Sequence, residues 1–148
     1  MIELNRSHLV DSLTARLDTA ANGRQRTMLE RVVEHAAAER DGDLADLMAT
    51  LGPATAYHFW EAQGDVGPKG LDGVEAYCLH LVESNGHILE FRTESIVVDD
   101  HCIVAEGVLT MIQPGQLMVE HPIAGDFCQA DKTYLLRLRN VMLHACPF

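Results

Sequence analysis

The sequence predicts an α+β domain in which a curved, mostly antiparallel sheet carries helices on one face. Three observations lead there. Between Lys69 and Gly86, Leu71, Val74, Tyr77, Cys78, Leu81 and Val82 recur at three- and four-residue spacings, an apolar stripe wide enough to pack on a sheet. From Leu89 the period changes to two: Leu89, Phe91, Thr93, Ser95 and Val97 share one face and Glu90, Arg92 and Glu94 the other, the alternation of a half-buried strand. Cys102 to Ile112 repeats it, and Asp99-Asp100, residues that bond their own backbone in turns, make an antiparallel hairpin the simplest connection. Strands of about eleven residues are long against the usual five or six and normally curl. A curled sheet closed by a helix encloses a pocket.

The remaining elements follow the same signals. Ser7 suits an N-cap, and Leu9, Val10, Leu13, Leu17 and Ala20 keep helical spacing up to Asn22-Gly23. Arg24 to Arg40 places Met28, Leu29, Val32, Val33, Ala36 and Ala37 on one face of a second helix. After Asp41-Gly42-Asp43 a short third helix carries Leu44, Leu47, Met48 and Leu51 until Gly52-Pro53 stops it. Ala54 to Trp60, rich in aromatic and small residues, reads as a strand, and 61–69 as a loop. Beyond Pro114-Gly115, Gln116 to Pro122 reads as a shorter strand, Ile123 to Lys132 as a polar rim loop, and Thr133 to about Cys146 as a strongly alternating last strand.

A chain of 148 residues suits one domain with a substantial core. The 11 Lys and Arg against 22 acidic residues leave a net charge of −11, a field that repels phosphate backbones and anionic lipid, so neither nucleic acid nor a membrane surface is an expected partner. Cys78, Cys102, Cys128 and Cys146 form neither a CxxC pair nor an even framework, which favours reduced thiols over disulfides. The start, MIELNRSHLV, lacks a signal-peptide apolar run, and no stretch approaches a membrane span. A cytoplasmic protein is the expectation. Both faces of the last two long strands carry apolar residues, Ile103, Ala105, Leu109 and Met111 against Val104, Val108 and Ile112, and this predicts a homodimer.

At ERDGDLADLMATLG (39–52), AYHFW (56–60), GPKGLDGVEAY (67–77), IVVDDHCIVAEG (96–107) and QPG (113–115) the chain resembles the nuclear transport factor 2-like superfamily. Within it, the likeness is to the SnoaL-like group of polyketide cyclases and ketosteroid isomerase relatives. The likeness spans about residue 26 to the end, with residues 1–25 a helical extension. It implies a cone, a curved sheet wrapped around helices with a deep apolar cavity open at one end, and frequent dimerisation through the outer sheet face. Such motifs mark a fold more strongly than an activity.

The residues then suggest where chemistry would sit. His58, flanked by aromatic residues, has the pKa range for proton transfer at neutral pH. Glu106 lies mid-strand beside Cys102, Val104, Val108 and Ile112, an apolar face that disfavours a carboxylate and makes it a candidate acid or base. His58 and Glu106 are the expected catalytic pair. Trp60, Tyr77, Phe91, Tyr134, Asn140 and His144 are the expected substrate contacts, the tyrosines, Asn140 and His144 as donors to a developing oxyanion. His80 with Cys78, and His101 with Cys102, do not converge on a helix or strand, so no metal site is expected. No GxSxG, Walker, Rossmann or HExxH pattern occurs, and no cofactor is expected. Two functions fit: a cofactor-independent acid/base enzyme, of cyclase, isomerase, dehydratase or epoxide hydrolase type, on an apolar small molecule, or a ligand-binding or dimerisation module without turnover.

Overall fold

The computed structural model describes residues 3–114, 126–130 and 133–145, with side chains described through residue 112. Three helices open the chain: α1 (His8–Leu17), α2 (Gly23–Asp41) and α3 (Leu44–Ala49). A two-residue hairpin, β1 (Trp60–Glu61) and β2 (Gly64–Asp65), leads to α4 (Gly70–Glu83). The remaining strands are β3 (Leu89–Val98), β4 (Cys102–Pro114), β5 (Asp126–Ala130) and β6 (Thr133–Ala145), which form one antiparallel sheet in the order β3-β4-β6-β5. This is the α+β arrangement expected. Among the described residues no helix is long and apolar enough to cross a membrane.

Capping sets the helix bounds. The Asn22 side chain accepts from Gln25 N at 2.9 Å and so starts α2 rather than ending α1, which stops at Leu17. Gly42, in the left-handed region at φ 70°, ends α2, and Asp43 N returns to Ala38 O at 3.0 Å. The Asp43 side chain then caps α3 by accepting from Asp46 N at 3.0 Å. Ser7, expected as the cap of α1, makes no side-chain cap bond.

The core has two parts, and α2 belongs to both. Leu13, Met28, Leu29, Val32, Ala36 and Ile103 form the larger cluster, with Ile96 and Val98 packed against it, so α1 and α2 cover one face of the sheet. The segment expected as an extension thus supplies Leu13, only 1 % exposed. On the other side of α2, Ala38 joins Leu47 of α3 and Val74 and Cys78 of α4. The stripe of α4 was expected to lie on the sheet; it packs instead on α2 and α3, and Leu71 at its start is exposed. An apolar stripe needs an apolar partner, and its spacing does not say which one.

Three strand expectations also change. Of residues 54–60, Ala54 lies in a turn, and the rest runs beside 65–69 as an irregular pairing rather than one strand: Ala56 is bridged to Lys69, Tyr57 N donates to Pro68 O and Val66 N to Phe59 O, both at 2.8 Å, and regular strand begins only at Trp60. Residues 126–130, expected in a rim loop, form β5 beside β6, while the strand expected at 116–122 lies outside the described residues. In β3 the register shifts between Thr93 and Ser95, a β-bulge that transfers the inward face from Phe91 and Thr93 to Ile96 and Val98. Val97, expected inward with Phe91, is therefore 60 % exposed. The Thr93 N–H at this break donates to His8 Nδ1 of α1 at 3.2 Å.

Gly107 lies across the bulge. A Cβ there would fall 2.2 Å from the Arg92 carbonyl oxygen and 3.0 Å from Thr93 Cα, both backbone atoms that cannot swing away. Gly107→Ala is expected to destabilise by about 1–3 kcal/mol, the range for an overpacked site. Urea unfolding checks this, and an unchanged midpoint would mean that the bulge is not the close approach described.

Candidate functional site

A cavity of about 30 Å³ lies where α1, α2 and β3 meet. Leu9, Val10, Ala36, Leu89 and Phe91 form its apolar wall, and Arg6, Glu39, Arg40 and His87 its polar part. Phe91, 2 % exposed, reaches it from the inward face of β3 above the bulge. Glu39 reaches it because it stands three residues after Ala36 on α2, one turn along the same side of the helix.

The cationic side is held mainly by bonds between segments distant in sequence. Asn5 N donates to Glu90 Oε2 at 2.7 Å, which ties the chain before α1 to β3 and sets Arg6 beside the end of α2. There Arg6 Nη2 donates to the Arg40 carbonyl, one of the last acceptors of the helix, where a cation is favoured. Arg40 itself is engaged by Asp41 through bonds of 2.7 and 2.8 Å and reaches Ser7 Oγ at 3.4 Å. His87 follows Asn85, at φ 58°, and Gly86 in the turn after α4; its ring lies over Gly42, where an added Cβ would stand 2.8 Å from Nε2. Arg6 Nε and His87 Nδ1 are buried without a hydrogen-bond partner.

Glu39 also faces a polar network on its other side. Thr50 Oγ1 donates to Leu47 O at 2.7 Å, so it accepts from His35 Nδ1 at 2.7 Å, leaving His35 Nε2 to accept from the Tyr57 hydroxyl at 3.3 Å. Tyr57 and Tyr77 pack against the cluster that holds Cys78. His35 Nε2 lies 3.9 Å from Glu39 Oε2, the two being one turn apart on α2. Burial raises the Glu39 carboxyl above its ordinary range. Burial likewise raises Tyr57, Tyr77 and Cys78, and the nearby Glu39 charge pushes each further the same way. The Glu39 side chain keeps 39 % of its surface, so desolvation acts on it while a path to solvent remains.

The residues expected from the sequence distribute unevenly. Phe91 lines the cavity. Half-buried Tyr77 does not; it packs against the cluster of α2, α3 and α4, edge-on to Tyr57 at 5.9 Å between ring centres and tilted against Phe59 at 5.2 Å. His58 is in neither place. It sits exposed beside the β1–β2 hairpin, with Nδ1 2.7 Å from Asp65 Oδ2. Asp65 also receives Lys69 Nζ at 2.8 Å and the backbone N–H groups of Phe59 and Gly67 at 3.1 and 3.0 Å. The Lys69 ammonium first, then Gly67 N–H and His58, hold its carboxyl well below the usual range. This cluster clasps residues 57–69 together. Trp60 is 76 % exposed on the same hairpin. Glu106 is half-buried, opposite Ser95 and Val141, on the strand face turned away from Ile103 and Ala105 and hence from the helices. His58 and Glu106 thus stand on separate elements, and neither lines the cavity. Register sets Tyr134 opposite Gln113, Asn140 opposite Gly107 and His144 opposite Ile103; their side chains lie outside the described residues.

Glu39, His35, Arg6 and His87 were not singled out from the sequence. A signal existed for the first two. A histidine and a glutamate four apart, beside the buried Val32 and Ala36, put titratable groups on the margin of an apolar stripe. Arg6 and His87 had none, being brought in by turns. Among the described residues no group of three or more His, Cys, Asp or Glu is arranged to hold a metal. No known protein-family model matches the chain, and comparison with curated proteins gives no match.

The raised Glu39 carboxyl has a stability consequence. A folded-state pKa above the unfolded value of about 4.3 means that stability is full below that value and falls as pH rises through the folded pKa. Glu39→Gln mimics the protonated form. It is expected to raise the melting temperature at pH 7 and to give no advantage near pH 4, as differential scanning calorimetry would check. An equal effect at both pH values would remove the desolvated-carboxyl reading.

Proposed function

We propose that this chain is a small-molecule-binding protein of the nuclear transport factor 2-like, SnoaL-like type, in which the cavity between α1, α2 and β3 receives the ligand and Glu39 exchanges a proton with it. The observation that carries this reading is one carboxyl, raised in pKa by burial, on the wall of a cavity otherwise lined by Leu9, Val10, Leu89 and Phe91. A carboxylic acid moved toward neutral pH is what general acid/base catalysis without a cofactor requires. The exposed part of the Glu39 side chain offers the route by which the proton is replaced. The element order of three helices, a short hairpin, a fourth helix and an antiparallel sheet supports the resemblance, and the sheet is proposed to wrap its helices as a cone. The reaction class is isomerisation or a related enolisation of an apolar carbonyl compound. In this role Glu39 takes the place first expected of His58 and Glu106.

In deuterium oxide, with a small cyclic ketone as the probe, exchange of the protons next to the carbonyl is expected above the buffer rate. Glu39→Gln should lose about 10²-fold or more of it. Binding of the ketone without exchange would favour a second reading, a ligand-binding module without turnover. That reading is supported by the small cavity and by His58 being engaged with Asp65. Failure to bind would remove both.

A homodimer through the outer sheet face is part of the proposal. Its support is Val97, with half-buried Cys102, Val104, Val108 and Ile112 on the face away from the helices. Sedimentation at micromolar concentration is expected to give twice the chain mass of 16.3 kDa; a single species of chain mass would end it.

A further inference from the structure

The most exacting polar contact between α1 and the sheet is made by a histidine. Thr93, at the bulge of β3, donates its main-chain N–H to His8 Nδ1 at 3.2 Å. A ring nitrogen accepts only while it carries no proton, so this bond requires a neutral His8 with its hydrogen on Nε2. In that tautomer Ser12 Oγ, one turn along α1 and 3.4 Å from the same Nδ1, is a second donor to it. Protonation replaces the acceptor by an N–H that faces an N–H. An imidazolium there also has no ion pair to gain, because no carboxylate pairs with the His8 ring among the described residues. Thr93 has nothing to spare either: its hydroxyl is already buried without a hydrogen-bond partner. A second unpaired group at the same residue is what folded chains seldom tolerate.

We propose that His8 is a pH-sensitive latch: as a neutral imidazole it holds the start of α1 to the bulge of β3, and as an imidazolium it lets that end of the helix go. Release has a consequence next door. Leu9 and Val10 follow His8 directly and form the α1 part of the cavity wall, with Arg6 just before them. Freeing the first turn of α1 therefore loosens this wall against Ala36 and Phe91, which α2 and β3 supply. The latch stands whether or not a ligand enters the cavity. Other titratable and charged groups around the start of α1 have their own engagements. On β3, Glu90 accepts from Asn5 N at 2.7 Å, and Arg92 and Glu94 pair at 3.7 Å. The end of α2 meets this place through Arg6 and Ser7; there Arg40 is engaged by Asp41, and Glu39 stands 3.9 Å from His35. On α1 itself Asp11 is exposed and Arg16 is bound to Thr19. His87 borders the cavity from the turn after α4. Glu39, His35 and His87 are thus the groups whose titration has to be separated from that of His8.

The test follows the full chain by NMR at about pH 7.5 and about pH 5.5, on either side of the range in which an imidazole ordinarily takes up its proton. The readouts are the protection of the Thr93 amide against hydrogen exchange and the methyl resonances of Leu9 and Val10. Protection of Thr93 is expected to fall roughly three- to tenfold at the lower pH, the loss of one bond. The methyl resonances are expected to move along the same titration curve as the His8 ring. His8→Asn places an oxygen near the position of Nδ1 that accepts but does not titrate, and it is expected to abolish the pH dependence. Glu39→Gln, His35→Gln and His87→Gln are expected to retain it. Unchanged Thr93 protection in the wild-type chain would overturn the latch, and this measurement decides even if a variant fails to fold. So would a pH dependence that survives His8→Asn, or one that disappears in the Glu39, His35 or His87 variant. A Thr93 amide that responds while Leu9 and Val10 stay unmoved would overturn it too, since the bond would then break without freeing the helix.

Discussion

Everything in this structure leans on the two-sidedness of α2. One side, through Met28, Leu29, Val32 and Ala36, presses on α1 and the sheet, and the other, through Ala38, meets Leu47, Val74 and Cys78. A helix with water on one side needs a single stripe; one that joins two clusters carries apolar residues on two sides, and α2 keeps Arg24, Arg26, Glu30, Arg31 and Glu34 at its exposed positions. Glu39 and His35 stand on the margin between those sides. Their environment follows from that position: wherever a helix is buried on both flanks, a titratable residue on the seam is desolvated without being sealed in. The cavity and the Thr50–His35–Tyr57 network are the two ends of that seam.

The same constraint explains what the sequence could and could not say. Elements with a strong period were legible. The periodicities of α2, α4, β3, β4 and β6 were long enough to read, and the turns at Gly42 and Asp99-Asp100 had the residue types that turns require. Partner choice was not legible. The α4 stripe looks the same whether it meets a sheet or two helices, so its placement on α2 and α3 had to come from the structure. Nor does a two-residue period announce a bulge: Leu89 to Val97 alternates without fault in the sequence, yet one shift at Thr93–Ser95 turns Val97 outward and Ile96 and Val98 inward. The hint lay in the partner strand, in Gly107, whose lack of a Cβ makes the close approach possible.

Phe91 reaches the cavity because an inward position on a strongly periodic strand follows from the pattern, whereas Tyr77 packs with the α2–α3–α4 cluster and does not line it. His58 has aromatic neighbours in sequence, but what fixes it is Asp65, seven residues on, at the end of β2, through hydrogen bonds that no periodicity encodes. Glu106 lies on an apolar-looking alternation, and the sequence alone did not settle which face of β4 the helices cover. Arg6 and His87 reach the cavity from irregular segments 81 residues apart in number, Arg6 set by its side-chain bond to the distant Arg40 carbonyl and His87 by the turn at Asn85-Gly86.

The bulge has a consequence of a different kind. In the described sheet β3 is an outer strand, bonded to β4 on one side only. Such a strand is a template on which a second chain can add itself, and a flat, regular one invites fibrous growth. Here regularity breaks at the middle, where the Thr93 N–H is turned to His8 of α1, and exposed Arg92 and Glu94 flank the break. An incoming strand would find no continuous row of donors and acceptors, and would have to strand two charges to follow the bend. The irregularity that re-aims the core therefore also keeps this edge from propagating.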